Sequence, residues 1–268
     1  MITLMRMMIM MGSKSVQYWL SLLWKILLCI AEFVGLGLGS GLFEGTVKRR
    51  FPYMFTNLSN IAVLIYFVLA ILWMVTNGTR IAGASGGEMA GALGIGGTLA
   101  SGGEPAGGIG IGANGSNGAG AVFAPVAKHM VTMAVTVTFL ISHFFLWDKM
   151  FEGGYLHVHL LFLHYITPIM TILDWLIFDA KGQMKIWEPL VWILGPLGYL
   201  FTAITAIEVF GSDFGADVAA GKSPYPYSFI DHSKIGWNGV ATFVLAASAA
   251  FVVLGYLMYG IDHRLSRT

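Results

Sequence analysis

The sequence predicts an all-α polytopic membrane protein, a single domain over residues 1–268 built as a bundle of six transmembrane helices. Three observations predict it. Hydrophobic residues make up 56% of the chain and charged residues only 11%, with a mean hydropathy of +0.74, outside the usual range of soluble domains. Six stretches, near 17–40, 56–76, 129–147, 156–178, 187–208 and 237–260, are long and apolar enough to cross a bilayer core about 30 Å thick, which takes roughly 20 helical residues. The formal charge is only +1, with no long run of like charges, so there is no basic field to draw a nucleic-acid partner.

Six spans put both termini on one face, here called proximal; the opposite face is distal. Outside the spans, Arg6, Lys14, Arg80, Lys128, Lys181, Lys185, Arg264 and Arg267 fall on the proximal side. Lys48, Arg49, Arg50, Lys149, Lys222 and Lys234 fall on the distal side. The excess predicts cytoplasmic termini by the positive-inside rule, with the Lys48-Arg49-Arg50 cluster pulling the other way. The Met-rich start lacks a small-residue cleavage site, so the first span is expected to serve as the insertion signal. A single cysteine, Cys29, cannot build a disulfide framework or a thiolate metal cluster.

Residues 78–124 are dominated by Gly, Ala and Ser and read as a flexible Gly-rich connection between the second and third spans. Glycines at 35, 37, 39, 41 and 45 give overlapping small-xxx-small spacings at the end of the first span, which let a neighbouring backbone approach closely. No internal repeat suggests an inverted-repeat transporter.

Strongly polar groups at membrane depth cost several kcal/mol unless paired or wetted, so those inside the spans carry the functional expectation. Thr56, Asn57, Ser59 and Asn60 open the second span, where the first amide N–H groups of a helix lack intrahelical partners. They are placed either to cap that helix or to bind a developing oxyanion. His157, His159 and His164 lie in the fourth span, followed by Pro168 and Asp174-Trp175. An i, i+2 histidine pair cannot chelate a metal from one helix, so no metal site and no cofactor is expected. The second and fourth spans both begin on the distal face, which brings Thr56 and His164 in from the same side. The segment Tyr225-Pro226-Tyr227-Ser228-Phe229-Ile230-Asp231 hangs over that side, and Pro224 and Pro226 predict an ordered lid or plug. Asp174, toward the proximal face, reads as a structural pairing or as an anchor with Trp175 at that interface. Lys25 and Glu32, seven apart on one helix face, are placed to pair with each other or with other helices.

Tyr53-Met54-Phe55-Thr56-Asn57-Leu58-Ser59-Asn60, His164-Tyr165-Ile166-Thr167-Pro168 with Leu173-Asp174-Trp175, and the Tyr225 to Asp231 segment together resemble a bacterial family of six-span membrane proteins related to the androgen-induced and androgen-dependent membrane hydrolases of animals. The animal members are threonine hydrolases that cleave fatty acid esters of hydroxy fatty acids. The resemblance implies Thr56 as nucleophile and His164 as its general base, a lipid ester as substrate, membrane lipids as surroundings and a bacterial plasma membrane as location. The amides that open the second span, Asn57, Ser59 and Asn60 are then oxyanion candidates, and Arg49, Tyr225, Tyr227 and Asp231 are candidates for contact with substrate. The rival classes are a transport or ligand-binding protein using Glu32, Asp174 and His164, and a noncatalytic scaffold.

Overall fold

The computed structural model describes residues 14–83, 122–145, 147–154 and 156–267. It contains six helices long and apolar enough to cross a membrane and, among the described residues, no strand. They are α1 (Lys14–Ser40), α2 (Phe55–Gly83), α3 (Pro125–Phe145), α4 (Val158–Phe178), α5 (Glu188–Glu208) and α6 (His232–Leu265). The chain is an all-α integral membrane protein. Helix α2 continues to Gly83, so the Gly-rich segment begins inside a helix; its residues 84–121 lie outside the described residues, as does the Met-rich start over 1–13.

α1 to α4 form a closed ring in which each helix packs on the next and α4 returns to α1. Leu28, Val63, Tyr66, Phe67 and Val135 fill its interior. A second cluster, Met133, Trp175, Met184, Trp192, Phe251 and Met258, joins the ring to α5 and α6. In the most apolar windows of α1–α4 between 39% and 44% of residues are buried, against 11% for α5 and 17% for α6. These last two helices are therefore peripheral, and Phe201, Leu245, Val253 and Leu257 present apolar surface to lipid.

The glycine spacing of α1 is used against α4. A Cβ added at Gly35 would stand 2.8 Å from the Phe162 Cβ, and one at Gly39 would stand 3.2 Å from Leu163. Gly37 instead receives the ring of Phe43, and Gly41 turns the chain out of the helix at φ +79°.

The proximal half of the ring holds buried charge. Asp174, with no exposed surface, accepts a hydrogen bond from Lys25 Nζ at 2.8 Å on one carboxylate oxygen and pairs with Lys128 on the other. Lys25 also donates to Ser21 Oγ at 2.9 Å, and the Lys128 ammonium lies 4.1 Å over the Phe67 ring. This meets one expectation and corrects two. Lys25 takes the second of its two expected partners, another helix, through Asp174. Asp174 has the structural pairing expected of it, but in the core and not at the interface. Lys128 is inside α3, which starts at Pro125 and not near 129, because its charge is met by a carboxylate and an aromatic face; removing it from the loop tally narrows the proximal excess of basic residues. Nearby, His129 Nδ1 lies 2.7 Å from Glu188 Oε2, tying α3 to α5, and Asp262 of α6 accepts the Met184 amide at 3.0 Å.

Replacing Asp174 by Ala strands two buried lysines, and breaking a buried ion pair of this kind costs about 3–5 kcal/mol. Asp174→Ala is expected to melt well below wild type in detergent, and equal melting would mean that the triad does not hold the ring.

Candidate functional site

The distal site is built at the start of α2. Pro52 sits in a short turn over Phe51–Tyr53, Met54 is extended, and the helix begins at Phe55. Asn57 Nδ2 donates to the Phe51 carbonyl at 2.7 Å and fastens this approach. The Thr56 carbonyl accepts from Ser59 Oγ at 2.8 Å and from Asn60 Nδ2 at 2.7 Å. Asn60, fully buried, also donates to the Leu163 carbonyl at 3.2 Å and accepts the Thr167 hydroxyl at 2.9 Å. One side chain thus sews the start of α2 to the middle of α4.

At that point α4 is not an α-helix. Val158–Leu161 and Thr167–Phe178 are α-helical, but Phe162–Ile166 between them is a π-turn, closed by the Thr167 amide donating back to the Phe162 carbonyl. Pro168 accounts for it. A proline has no N–H to give the carbonyl four residues back, here that of His164, and its ring crowds that carbonyl, so the preceding turn widens. His164 lies in the widened turn and is 7% exposed. Its Nδ1 is 3.1 Å from the Leu160 carbonyl, which can only accept, so Nδ1 carries the hydrogen and Nε2 keeps a lone pair.

The lid is tied by hydrogen bonds to Arg50 and to the start of α2. Arg50 donates to the Ser223 carbonyl at 3.0 Å and to that of Tyr225. Tyr227 reaches the start of α2, where its oxygen accepts the Thr56 amide at 3.4 Å. Its ring stands among Tyr199, Phe229 and, beyond Phe229, Phe243, with Tyr227 and Phe229 stacked at 4.9 Å. Burial pushes the Tyr227 phenol up, against the hydrogen bonds that the Thr56 hydroxyl and the Thr56 and Phe55 amides offer its oxygen and against the Arg50 charge. The phenol is therefore a neutral hydrogen-bond donor at neutral pH.

The structure thus brings together Thr56, Ser59, Asn60, Tyr227 and the turn that carries His164. Among the described residues no hydrogen bond joins Thr56 to His164. Asn60 has both amide hydrogens and its oxygen committed, and Ser59 is taken by the Thr56 carbonyl and by Thr138 Oγ1 at 3.3 Å. Asn57 is spent on the approach loop, which leaves the helix amides and Tyr227 as the donors facing Thr56. Three further candidates stand elsewhere. Arg49 is exposed and 3.5 Å from Asp213. Tyr225 donates its hydroxyl to the Glu208 carboxylate, which His232 also faces at 3.0 Å. Asp231 caps α6 through the Ser233 amide at 3.1 Å and accepts Ser223 Oγ at 2.7 Å. Burial pushes the Asp231 carboxyl up, but the Ser233 and Ser223 hydrogen bonds outweigh it and hold the group below the usual carboxylate range.

Sequence reasoning missed Arg50 as the lid clamp, Thr167 as the partner of Asn60, and the π-turn. For the last two the only local signal is Thr167-Pro168 itself. Among the described residues no three of His, Cys, Asp and Glu gather as metal ligands. Compared with models of protein families, with curated proteins and with solved structures, the chain finds no match in any of the three.

Two outcomes follow. Asn60→Ala leaves buried donors and acceptors on α2 and α4 unsatisfied, which costs about 1–3 kcal/mol, so it is expected to lower the melting temperature more than Asn57→Ala. Because Asp231 sits below its unfolded value when folded, its contribution is present above the ordinary aspartate range and lost as pH falls through it, near pH 4 and below. Limited pepsin digestion should open the lid over that window in wild type; an identical profile in Asp231→Asn would assign the loosening to another group.

Proposed function

We propose that this chain is an intramembrane hydrolase of lipid esters, of the fatty acid ester of hydroxy fatty acid type, with Thr56 as nucleophile and His164 as general base. The observation that carries the reading is the tautomer and setting of His164. Its Nδ1 hydrogen is committed to Leu160, its Nε2 is left to accept a proton, and Asn60 sews the turn that holds it to the helix start that holds Thr56. Catalytic hydrogen bonds are often open in the absence of substrate, so the missing Thr56–His164 bond is compatible with the role.

Thr56 Oγ1 attacks the ester carbonyl while its proton passes to His164 Nε2. The Tyr227 hydroxyl receives the oxyanion; its oxygen already accepts the Thr56 amide, and its own hydrogen is the one to donate. Collapse expels the hydroxy fatty acid alkoxide, which takes the proton from His164. Water, activated by the same nitrogen, then cleaves the acyl-threonine and returns the threonine hydroxyl. The apolar flanks of α5 and α6 suit acyl chains at this depth, and Lys48 and Arg49 stand at the distal edge for a carboxylate. In the same reading the chain lies in a bacterial plasma membrane with cytoplasmic termini.

The experiment is reaction of purified protein with a fluorophosphonate probe. Wild type is expected to label, and Thr56→Ala and His164→Ala, shown folded by thermal melting, are expected not to. Tyr227→Phe should lower the rate of ester turnover by about 10²-fold or more, the usual loss for one oxyanion donor. Equal labelling of all three, or a well-folded wild type that does not label, would return Thr56 to a helix-capping role and favour transport or scaffolding.

A further inference from the structure

Helix α1 carries another ionisable residue at membrane depth that the proposed reaction does not use. Glu32 has no exposed surface, and among the described residues neither of its carboxyl oxygens has a hydrogen-bond partner. The register of the ring explains its neighbours. α1 and α4 run antiparallel with Lys25 against Asp174, so seven residues on along α1 and seven back along α4 set Glu32 level with Thr167.

The Thr167 hydroxyl cannot donate to Glu32. It has one hydrogen, and it is committed to Asn60 Oδ1 at 2.9 Å with the Phe162 carbonyl at 3.1 Å as its second acceptor. Toward Glu32, Thr167 offers only a lone pair. The cations are also engaged. Lys25 on the same helix donates to Asp174 and Ser21, and Lys128 of α3 holds the other oxygen of Asp174. Cys29, one turn away, is a free thiol. A carboxylate without donors in an apolar interior costs several kcal/mol or more, whereas a carboxylic acid here has an acceptor waiting. Oxygen-seeking metal cations are a poor fit, since they take about six ligands and this place supplies one carboxyl and one hydroxyl.

We propose that Glu32 is an intramembrane proton-binding site, holding its proton as a neutral carboxylic acid that donates to Thr167 Oγ1. The hydrogen-bond chain then runs from Glu32 to Thr167, to Asn60 and, through the amide of Asn60, to the carbonyl of Thr56. This site stands independently of the hydrolase reading, because it rests on the α1–α4 register and on donors already spent.

The test is modification by dicyclohexylcarbodiimide, an apolar reagent that requires a protonated carboxyl. The carboxyl oxygen adds to the central carbon and its hydrogen goes to a nitrogen, and the O-acylisourea rearranges to an N-acylurea with no atom lost. Full-length protein in detergent is expected to gain one whole reagent molecule, mapped to Glu32 by mass spectrometry, with a yield that falls as the pH is raised until the acid ionises. Glu32→Gln should not react there, and, because the amide also donates to Thr167, it should melt with wild type at neutral pH. Two results would each overturn the proposal: no adduct on Glu32 in folded wild type under conditions where the unfolded chain reacts, or a Glu32→Gln protein that melts far below wild type, which would mean that a charged carboxylate holds the bundle.

Discussion

The arrangement depends on one buried carboxylate meeting two lysines. In hydrocarbon the charge of Asp174 has no solvent to fall back on, so the helices that bring Lys25 and Lys128 cannot slide without exposing it. That requirement fixes α1, α3 and α4 in depth at the proximal end. Counting along α1 and α4 from this point, Glu32 meets Thr167 and the glycines of α1 meet Phe162 and Leu163. The distal site is therefore aligned by a contact at the other end of the ring.

Polar satisfaction continues along the seam in one connected set. Thr167 gives its hydrogen to Asn60, Asn60 gives both of its hydrogens to backbone carbonyls on two helices, and those carbonyls belong to Thr56 and to the residue before His164. The proline that widens α4 creates part of this demand, since a π-turn leaves a backbone carbonyl in need of a donor and draws Asn60 toward it. The start of α2 and the widened turn of α4 are thus joined by a side chain whose own hydrogen-bonding capacity is spent. The lid arrives separately, clamped through Arg50, and its one direct contribution at Thr56 is the Tyr227 hydroxyl.

Hydropathy located all six helices because length and apolarity are local properties. It placed the start of α3 too late because Lys128 reads as a loop charge until Asp174, 46 positions away, is seen to cancel it. The regular run of α6 does begin at Trp237 as its apolarity implies, and the earlier turn from His232 is set off by Gly236 at φ +69°. That Thr56 and His164 approach from the same face was legible from the parity of the spans. The roles of Asn57, Ser59 and Asn60 were not. A polar cluster at a helix start has the same composition whether it binds substrate or backbone, and only the partners, mostly distant in sequence, tell the two apart. Arg50 and Arg49 are likewise indistinguishable as neighbours, yet one grips the lid and the other faces solvent.

A π-turn is equivalent to an ordinary helix with one residue inserted. Removing a single residue from Phe162–Ile166 would close the helix again and swing everything upstream by about 100°, while Asp174 and its lysines stayed in place. The direction in which His164 points is therefore an indel-sized property, set by one residue, with the ionic anchor that sets the depth of the helix untouched.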